Sequence, residues 1–505
     1  MFFVIKTKNL SANAKFLIFV FIKTNPFFYL SFGVIILITR RQKLSAYYRK
    51  GKMSQVKNHR LEPTKYIVLG FLSVIIIGAL LLATPLATKS GESVGFLNAF
   101  FTSTSAVCVT GLVVVDTATT WNLFGRIVIM TLIQIGGLGF MSIATLIPLI
   151  LNKKIDLKDR LILKEQLNQS KLQGIVVLLK KVFAITFAIE LLGAALLSLA
   201  FVPRFGFIKG LGYGIFHSIS AFCNAGFDLF GGHYGKFSSI TGFSNSPYVL
   251  LTISALIILG GIGFPVIINL INHFKNDERI SLHSKIALTA TGVLLVLGTI
   301  IFFALEYNNP ASLGHMDFAD KVTNSFMQST TTRTAGFASV DMSRLREGTL
   351  FMMIILMFIG ASPASTGGGI KTVTLVVLIM NIHSIIKGSE DVNIFKRRLQ
   401  YGTVRKAIAI FLIAMIFVLA GTFIMVNVEP EYNLLSSLFE CTSAIATVGC
   451  SIAGSQYLTS LGKILISIFM FAGRVGMITL FISMAGITLD SNAKIKYPEE
   501  NILIG

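Results

Sequence analysis

The most constraining feature of this chain is a short pattern that occurs four times: a Phe, a hydroxyl residue four positions later, and a Gly six positions after that. The instances are Phe101/Ser105/Gly111, Phe216/Ser220/Gly226, Phe326/Thr330/Gly336 and Phe439/Ser443/Gly449. Successive glycines are 115, 110 and 113 residues apart (226 − 111, 336 − 226 and 449 − 336). This near-constant spacing indicates that one structural unit is repeated four times.

Each copy of the pattern lies between long apolar segments. Of the 505 residues, 53% are apolar and only 13% are charged, and the mean hydropathy of +0.76 is far from that of a soluble domain. Apolar runs long enough to cross a bilayer include 66–83, 127–151, 286–305, 408–426 and 464–489. We therefore expect an all-α, polytopic membrane protein.

The net charge of +21 is consistent with a membrane protein. In membrane proteins Lys and Arg collect in cytoplasmic loops, so this charge does not indicate a nucleic-acid partner. Basic residues are concentrated at 50–65, 152–181 and 387–406. These segments and both termini are predicted to be cytoplasmic, and the four repeated patterns are predicted to face outwards.

The spacing divides the chain into an extension, four repeats and a tail. The predicted ranges are a cytoplasmic extension (1–60), repeat 1 (61–152), repeat 2 (153–275), repeat 3 (276–390), repeat 4 (391–489) and a cytoplasmic tail (490–505). The apolar part of residues 1–52 is interrupted, and it lacks the cleavage site of a signal peptide. Either Met53 is the working start of translation or the extension is loosely ordered.

Within each repeat we expect a helix, a short helix, a turn and a second helix. In repeat 1, residues 66–84 can span the bilayer and Pro85 stops that helix, whereas 96–108 is too short to cross. Non-helical backbone at membrane depth is tolerated only where it is buried in protein or lines water. Eight spans and four half-helices are therefore predicted around one cavity, in a pseudo-fourfold arrangement.

Gly at the end of every half-helix suggests what the cavity does. Backbone carbonyls can replace the hydration shell of an ion if successive peptides face one axis, which is easiest with dihedral angles that Gly adopts. The C-terminal end of a half-helix adds partial negative charge, which favours cations. The hydroxyl residue would pack the half-helix or bond to backbone. One such Gly would be explained by packing or a turn, but four in register favour an ion pathway.

The four segments resemble the filters of the Trk/Ktr/HKT superfamily of potassium transporters, and are most similar to those of the membrane subunit of bacterial Ktr systems. The similar segments are 107–112, 224–227, 333–337 and 446–449, and the resemblance runs from about residue 60 to the C-terminus. It implies that K⁺ is bound by Val109, Thr110, Gly111, Asn224, Ala225, Gly226, Thr334, Ala335, Gly336, Thr447, Val448 and Gly449. Only Gly recurs in all four segments, and the Thr-Val-Gly triplet of potassium channels occurs once, at 447–449.

Repeat 3 contains a helix-breaking run inside its second span. Pro363 and the triplet Gly367, Gly368 and Gly369 interrupt residues 359–372. The resemblance implies an intramembrane gating loop at 360–371 that blocks the pore and moves aside on activation. A kinked, packed helix is the alternative. A phosphate-binding loop is disfavoured because the preceding strand and the Gly-Lys-Ser/Thr spacing are lacking.

Arg474 lies near the middle of the last apolar run. A central Arg costs about 2.5–3.5 kcal/mol on insertion scales, so it should face water or a partner. The resemblance implies that Arg474 projects below the filter and acts with the Gly-rich loop as an electrostatic barrier to cations. In repeats 1 and 2, the runs 136–140 and 260–264 allow close helix packing or bending, of which packing is favoured.

Several other polar residues and all four cysteines lie in or beside apolar stretches. His217 and Glu190 are expected to make structural hydrogen bonds, and Glu440 either tunes the outer potential or bonds to backbone. Cys108, Cys223, Cys441 and Cys450 have no metal-ligand spacing; a buried metal or disulfide is conceivable, but small apolar packing is favoured. No catalytic constellation stands out, so an enzyme is not expected.

The resulting expectation is K⁺ uptake across a bacterial plasma membrane, down the electrochemical gradient, with no covalently bound cofactor. The resemblance adds a homodimer in the lipid bilayer, a cytosolic ring of nucleotide-binding (KtrA-like) regulatory subunits and Na⁺ as an activator. It leaves open whether transport is channel-like or symport. A Na⁺-translocating or poorly selective member is the runner-up, and a non-conducting receptor or scaffold and an intramembrane enzyme are alternatives of other classes.

Overall fold

The computed structural model describes residues 63–140, 142–145, 155, 157–166, 173–477 and 479–480. All of them belong to one compact unit, Leu61–Gly505. The predicted N-terminal extension, Met53 and the C-terminal tail at 490–505 lie outside the described residues.

The described chain consists of helices joined by irregular segments and one small hairpin. Repeat 1 contains α1 (Pro63–Leu82), α2 (Phe96–Cys108), α3 (Thr117–Thr120) and α4 (Leu123–Leu138). Repeat 2 contains α5 (Leu157–Gln166), α6 (Ile175–Phe205), α7 (Phe207–Phe222), α8 (Gly231–Tyr234), α9 (Pro247–Ile262) and α10 (Phe264–Asn276). Short 3₁₀ turns lie at Pro85–Ala87, Thr241–Phe243, Met342–Arg344 and Ser455–Tyr457.

The second half of the chain repeats this order. Repeat 3 contains α11 (Leu282–Glu306), α12 (Phe318–Thr331), α13 (Glu347–Phe358) and α14 (Thr372–Ile386). The antiparallel strands β1 (Asn393–Ile394) and β2 (Arg397–Arg398) precede α15 (Tyr401–Val428), α16 (Leu434–Ile445) and α17 (Ser460–Val475). Each repeat thus has a long first helix, a half-helix and a second helix, as the sequence predicts.

The second helix of every repeat is interrupted at the same place. Helices α4, α9 and α17 end at Gly139, Gly263 and Gly476, whose φ angles are 86°, 102° and 93°, and α13 ends at Ile359. Across Gly263, α9 and α10 are bent by 96°. Because of these breaks, only four described helices are long and apolar enough to span a membrane, or five if the bent pair is one span. The sequence predicts eight spans, and the interrupted second helices account for the difference.

The half-helices of repeats 1 to 3 are attached to their first helices by one recurring contact. A Ser hydroxyl on the half-helix donates to a carbonyl on the first helix: Ser103 to Ile75 (2.7 Å), Ser218 to Glu190 (2.6 Å) and Ser329 to Leu295 (2.9 Å). Three residues after each acceptor comes a Gly (Gly78, Gly193 and Gly298), and a Cβ there would overlap the same hydroxyl. Small residues thus allow close helix approach, as is usual in membrane interiors.

Repeat 3 is offset from the other repeats by one residue at its half-helix. The N–H groups of Thr110, Ala225 and Val448 donate to carbonyls five residues earlier, whereas the N–H of Ala335 donates to Thr331, four residues earlier. Phe101, Phe216 and Phe439 are buried, but in repeat 3 Met327 is buried while Phe326 is partly exposed. The sequence alignment through Phe326 and Thr330 is therefore wrong by one residue, because the turn that follows α12 is shorter.

A fully buried carboxylate holds the end of α11 to the start of α13. Glu306 accepts hydrogen bonds from the side chains of Asn309 (2.6 Å), Ser312 (2.6 Å) and Thr349 (2.5 Å), and from the backbone N–H of Arg346 (3.0 Å). The bond from Arg346 satisfies a backbone donor at the start of α13 that has no partner within the helix.

We expect Glu306→Gln to lower the midpoint of thermal unfolding in detergent by several degrees. The amide carries one acceptor oxygen where the carboxylate has two, and an unsatisfied buried donor costs about 1–3 kcal/mol. Glu347→Gln is the control, because Glu347 is exposed in the first turn of α13. Equal midpoints for the two variants would contradict this structural role.

Candidate functional site

The four segments that follow the half-helices share one unusual backbone conformation. Two residues before each Gly, the chain adopts positive φ at a residue other than Gly: Val109 (57°), Asn224 (59°), Thr334 (69°) and Thr447 (52°). The glycines Gly111, Gly226, Gly336 and Gly449 have φ angles of 94°, 70°, 77° and 93°. Positive φ is uncommon for a residue other than Gly, so its recurrence at four equivalent positions marks one structural device.

These four glycines form a closed ring. A Cβ added to any of them would overlap the carbonyl oxygen of the residue that precedes the next Gly: Gly111 meets Ala225, Gly226 meets Ala335, Gly336 meets Val448, and Gly449 meets Thr110. The order runs through repeats 1, 2, 3 and 4 and returns to 1. The four bends therefore surround one axis, and every position in the ring requires Gly.

The ring lies between two cavities. All four glycines line a cavity of about 640 Å³, here called the outer cavity, together with residues that follow each of them in the chain. A second cavity of about 250 Å³, the inner cavity, is lined by Gly367, Gly368, Gly369 and Arg474. The predicted filter and the predicted gate are thus adjacent along one axis.

The hydroxyl residues of the repeated pattern support the bends through backbone bonds. Ser105 accepts from the N–H of Gly111 (3.0 Å), and Ser443 accepts from the N–H of Gly449 (3.1 Å). Ser220 donates to the carbonyl of Phe227 (2.8 Å). In the offset repeat 3, Thr330 bonds within its own helix instead. All four hydroxyls bond to backbone, as predicted, but only those of repeats 1, 2 and 4 bond to the segment that contains the filter Gly.

Glycines of the second helices pack against the filter. A Cβ on Gly136, Gly260 or Gly473 would overlap the carbonyl oxygen of Val107, Phe222 or Ile445, each four residues before a filter Gly. The sequence predicts packing for the runs 136–140 and 260–264, and this role is confirmed at Gly136 and Gly260. Bending occurs as well, at Gly139 and Gly263.

The segment 359–371 of repeat 3 is an irregular loop rather than a kinked helix. A bridge between Ile359 and Ile370 closes its base. Gly367 lies against the hydroxyl of Thr334, and Gly368 lies against the hydroxyl of Thr447, with no room for a Cβ at either position. The loop therefore lies directly beneath filter segments 3 and 4.

Asn224 connects this loop to the filter. Its Oδ1 is 3.2 Å from the hydroxyl of Thr366, and its Nδ2 donates to the carbonyl of Arg333 (3.2 Å). This side-chain role of Asn224 is not among those predicted from the sequence. The available signal is that an amide occupies the position where the other three filter segments have Val or Thr.

Two cations hold the loop from below. Arg474 donates to the carbonyls of Thr366 and Gly136, and to that of Gly137 at 3.3 Å, so it bridges repeats 1, 3 and 4. Lys371 donates to Gly367 (2.7 Å) and Gly368 (3.3 Å). Neither cation forms an ion pair with any part of the chain that the structure describes. No role is predicted for Lys371 from the sequence, although a second basic residue beside the three glycines could have indicated one.

His217, Glu190 and Glu440 all take part in hydrogen bonds within the protein. His217 Nδ1 is 2.8 Å from the carbonyl of Tyr213, and its Nε2 accepts from the N–H of Leu229 (3.2 Å). Glu190 accepts from Gln134 (3.2 Å), and Glu440 accepts from Ser451 and from the N–H of Ile452 (3.2 Å). These bonds confirm the structural roles expected of His217 and Glu190. The four cysteines are free and buried.

Known proteins are similar to this chain in sequence over most of its length. The TrkH family, described as a cation transport protein, matches residues 63–497. The Ktr system potassium uptake protein B of Bacillus subtilis (strain 168) is 41% identical over 450 residues, which cover 89% of this chain and 98% of that protein. The potassium/sodium uptake protein NtpJ of Enterococcus hirae is 38% identical over 449 residues, covering 88% of this chain and 98% of that protein.

A solved structure has the same fold. The crystal structure of the potassium transporter TrkH from Vibrio parahaemolyticus superposes with a TM-score of 0.65 at 16% identity, covering 85% of this chain and 86% of that one. Together with the apolar helices, these matches identify a multi-pass protein of the plasma membrane that is a transporter and not an enzyme. The chain belongs to the TrkH family of cation transport proteins.

Proposed function

We propose that this chain is the K⁺-translocating subunit of a Ktr-type uptake system. The observation that carries the proposal is the closed ring of Gly111, Gly226, Gly336 and Gly449, in which each Gly lies against a carbonyl of the next repeat. Carbonyl oxygens directed at one axis can replace the hydration shell of a monovalent cation. The ligands are the backbone oxygens of residues 109–111, 224–226, 334–336 and 447–449.

The half-helices provide the electrostatic part of the mechanism. Each of them ends at its filter segment, so four negative ends of helix dipoles lie near the axis and favour a cation without adding a fixed charge. Permeation then needs binding that is favourable enough for a K⁺ ion to enter and weak enough for it to leave. Transport is channel-like and follows the electrochemical gradient.

The Gly-rich loop is the gate. It lies directly under Thr334 and Thr447, and both Arg474 and Lys371 donate to its carbonyls. A K⁺ ion that leaves the filter therefore meets backbone atoms and two positive charges. Opening requires the loop to move, and with it the bonds that Thr366 makes to Phe222 and Asn224.

Regulation is proposed to come from the cytoplasmic side. Three relatives are named as parts of Ktr systems, which supports a partner subunit. The hairpin β1–β2 exposes Lys396, Arg397 and Arg398, a surface suited to an acidic partner. The partner is a ring of nucleotide-binding (KtrA-like) subunits on a homodimer of this chain, with Na⁺ as an activator.

A Na⁺-translocating or poorly selective transporter is the second candidate. The relative from Enterococcus hirae is named for both potassium and sodium uptake. The two positions before each filter Gly also differ between repeats (Val-Thr, Asn-Ala, Thr-Ala and Thr-Val). The backbone conformation is shared, but different side chains surround it in each repeat, so the filter sequence does not itself select K⁺ over Na⁺.

Tracer flux decides between these candidates. The purified chain in proteoliposomes is expected to take up Rb⁺, a K⁺ substitute, faster than Na⁺, and to restore growth of a K⁺-uptake-deficient bacterium at low K⁺. Faster Na⁺ uptake would favour the second candidate. No flux of either ion, by wild type and equally by Arg474→Ala, which lacks bonds that hold the loop, would contradict transport by this chain. Rb⁺ uptake that requires an opposing or accompanying Na⁺ gradient would indicate symport.

A further inference from the structure

A groove between repeats 1 and 2 is separate from the filter and the gate. It has a volume of about 600 Å³ and lies between α4 and α7. Its apolar wall is formed by Leu123, Ile127, Met130, Ile208, Ile215 and Phe216. Leu123 and Ile208 are 74% and 84% exposed, so this wall is open to whatever surrounds the helices. In a membrane protein that surrounding is lipid.

One end of the groove is cationic. Lys89, Arg126 and Lys209 line it together. Lys89 and Arg126 both donate to the carbonyl of Ala118, each at 2.7 Å, which places their charges close to one another. Lys209 is exposed and makes no hydrogen bond or ion pair with residues that the structure describes.

The positive charge at this end is balanced only in part, because Asp116 is the one acidic residue, among those that the structure describes, that acts on Lys89. Burial lowers the pKa of Lys89 below its ordinary value, and the positive charges of Arg126 and Lys209 lower it further, whereas Asp116 acts in the opposite direction. Asp116 is occupied by the backbone N–H groups of Thr119 (2.7 Å) and Phe237 (2.9 Å). An anion bound among the three cations would relieve their repulsion.

The order of charge and apolar surface matches that of a phospholipid. Lys89 lies in the segment that joins α1 to the half-helix α2, and Lys209 is the third residue of the half-helix α7. The cationic end is therefore where these half-helices start. From there the apolar wall continues along α4 and α7 towards filter segment 2. A headgroup at the membrane boundary and an acyl chain below it would cover both parts.

We propose that this groove binds a phospholipid with an anionic headgroup, whose phosphate contacts Lys89, Arg126 and Lys209 and whose acyl chain lies between α4 and α7. The half-helix α7 leads directly into filter segment 2 (residues 224–226). A lipid bound against α7 therefore stabilises the position of that segment. The proposal does not depend on which cation the protein transports.

Two variants test the two halves of the groove. Lys209→Gln removes one charge, and each basic residue near an anionic surface contributes about fivefold in affinity. Gly212→Leu fills the groove, since a Cβ on Gly212 meets no atom within 4 Å. Gly292→Leu is the matched control, because Gly292 is exposed on α11 and its Cβ also meets nothing within 4 Å. Lys387→Gln is the control for charge, because Lys387 is exposed at the end of α14.

The measurement is the number of lipids that the purified full-length protein retains, read by native mass spectrometry after exchange into phosphatidylglycerol or phosphatidylcholine. We expect wild type to retain phosphatidylglycerol preferentially, Lys209→Gln to retain it about fivefold more weakly, and Gly212→Leu to lose one lipid per protomer. Both controls should behave as wild type.

Four results would overturn the proposal. Equal retention of the two lipids by wild type would exclude headgroup recognition, and unchanged retention by both groove variants would place the lipid elsewhere. Displacement of phosphatidylglycerol by inorganic phosphate alone would indicate a site for free anions. If Gly212→Leu or Lys209→Gln changed the mass of the oligomer without changing the number of bound lipids, a second copy of the chain would be shown to cover the groove.

Discussion

Gly336→Ser is expected to reduce Rb⁺ uptake by at least about tenfold, because a left-handed backbone at a residue other than Gly costs roughly 1–2 kcal/mol before any clash is counted. Gly336 has a φ of 77°, and a Cβ there would lie 2.7 Å from the carbonyl oxygen of Val448. That oxygen belongs to filter segment 4, so the substitution displaces a ligand of the neighbouring repeat as well as its own. Selectivity for Rb⁺ over Na⁺ should fall together with the rate.

The control for this prediction is Gly292→Ser. Gly292 lies on α11 of the same repeat, and a Cβ there meets no atom within 4 Å. Both variants are compared by complementation at low K⁺ and by tracer flux into proteoliposomes, after size-exclusion chromatography has shown that they are monodisperse. If Gly336→Ser grew at low K⁺ as wild type does and kept the selectivity of wild type, the assignment of the glycine ring as the filter would be contradicted.

Arg474→Ala is expected to raise Rb⁺ flux in the absence of a regulatory subunit. The guanidinium donates to carbonyls of Thr366, Gly136 and Gly137, and hydrogen bonds to charged groups contribute about 1.5–3 kcal/mol. If these bonds favour the closed loop, their loss shifts the closed-to-open ratio by roughly tenfold to hundredfold. Removal of a positive charge beside the inner cavity acts in the same direction.

The control for Arg474→Ala is Ile468→Ala on the same helix, where the side chain is 54% exposed. Arg474→Lys should give an intermediate flux, because it keeps the charge but cannot reach three carbonyls at once. Lys371→Ala is expected to act in the same direction as Arg474→Ala, since Lys371 donates to the loop itself. Unchanged basal flux in all three gate variants would show that the loop is held closed by its backbone contacts alone.

Local features of this protein could be predicted from the sequence because they depend on local chemistry. A short apolar segment that ends in Gly predicts a half-helix, since its length cannot span a bilayer and Gly permits the positive φ found at Gly111 and Gly449. The helix-breaking run at 359–371 is likewise predictable from Pro363 and three glycines. These are properties of single segments, and four repetitions of them made the fold class clear.

Contacts between repeats were decided by the tertiary structure alone. The ring closes only because Gly449 lies against Thr110, which is more than three hundred residues away in the chain, and no local pattern encodes that pairing. The one-residue offset of repeat 3 was hidden because Phe326 and Thr330 match the pattern while Met327 and Thr331 occupy the equivalent positions. Periodicity determined the number of bends and their kind. Their order around the axis, and the position of the loop beneath them, depend on packing between helices that are distant in sequence, because close packing there leaves space for one arrangement.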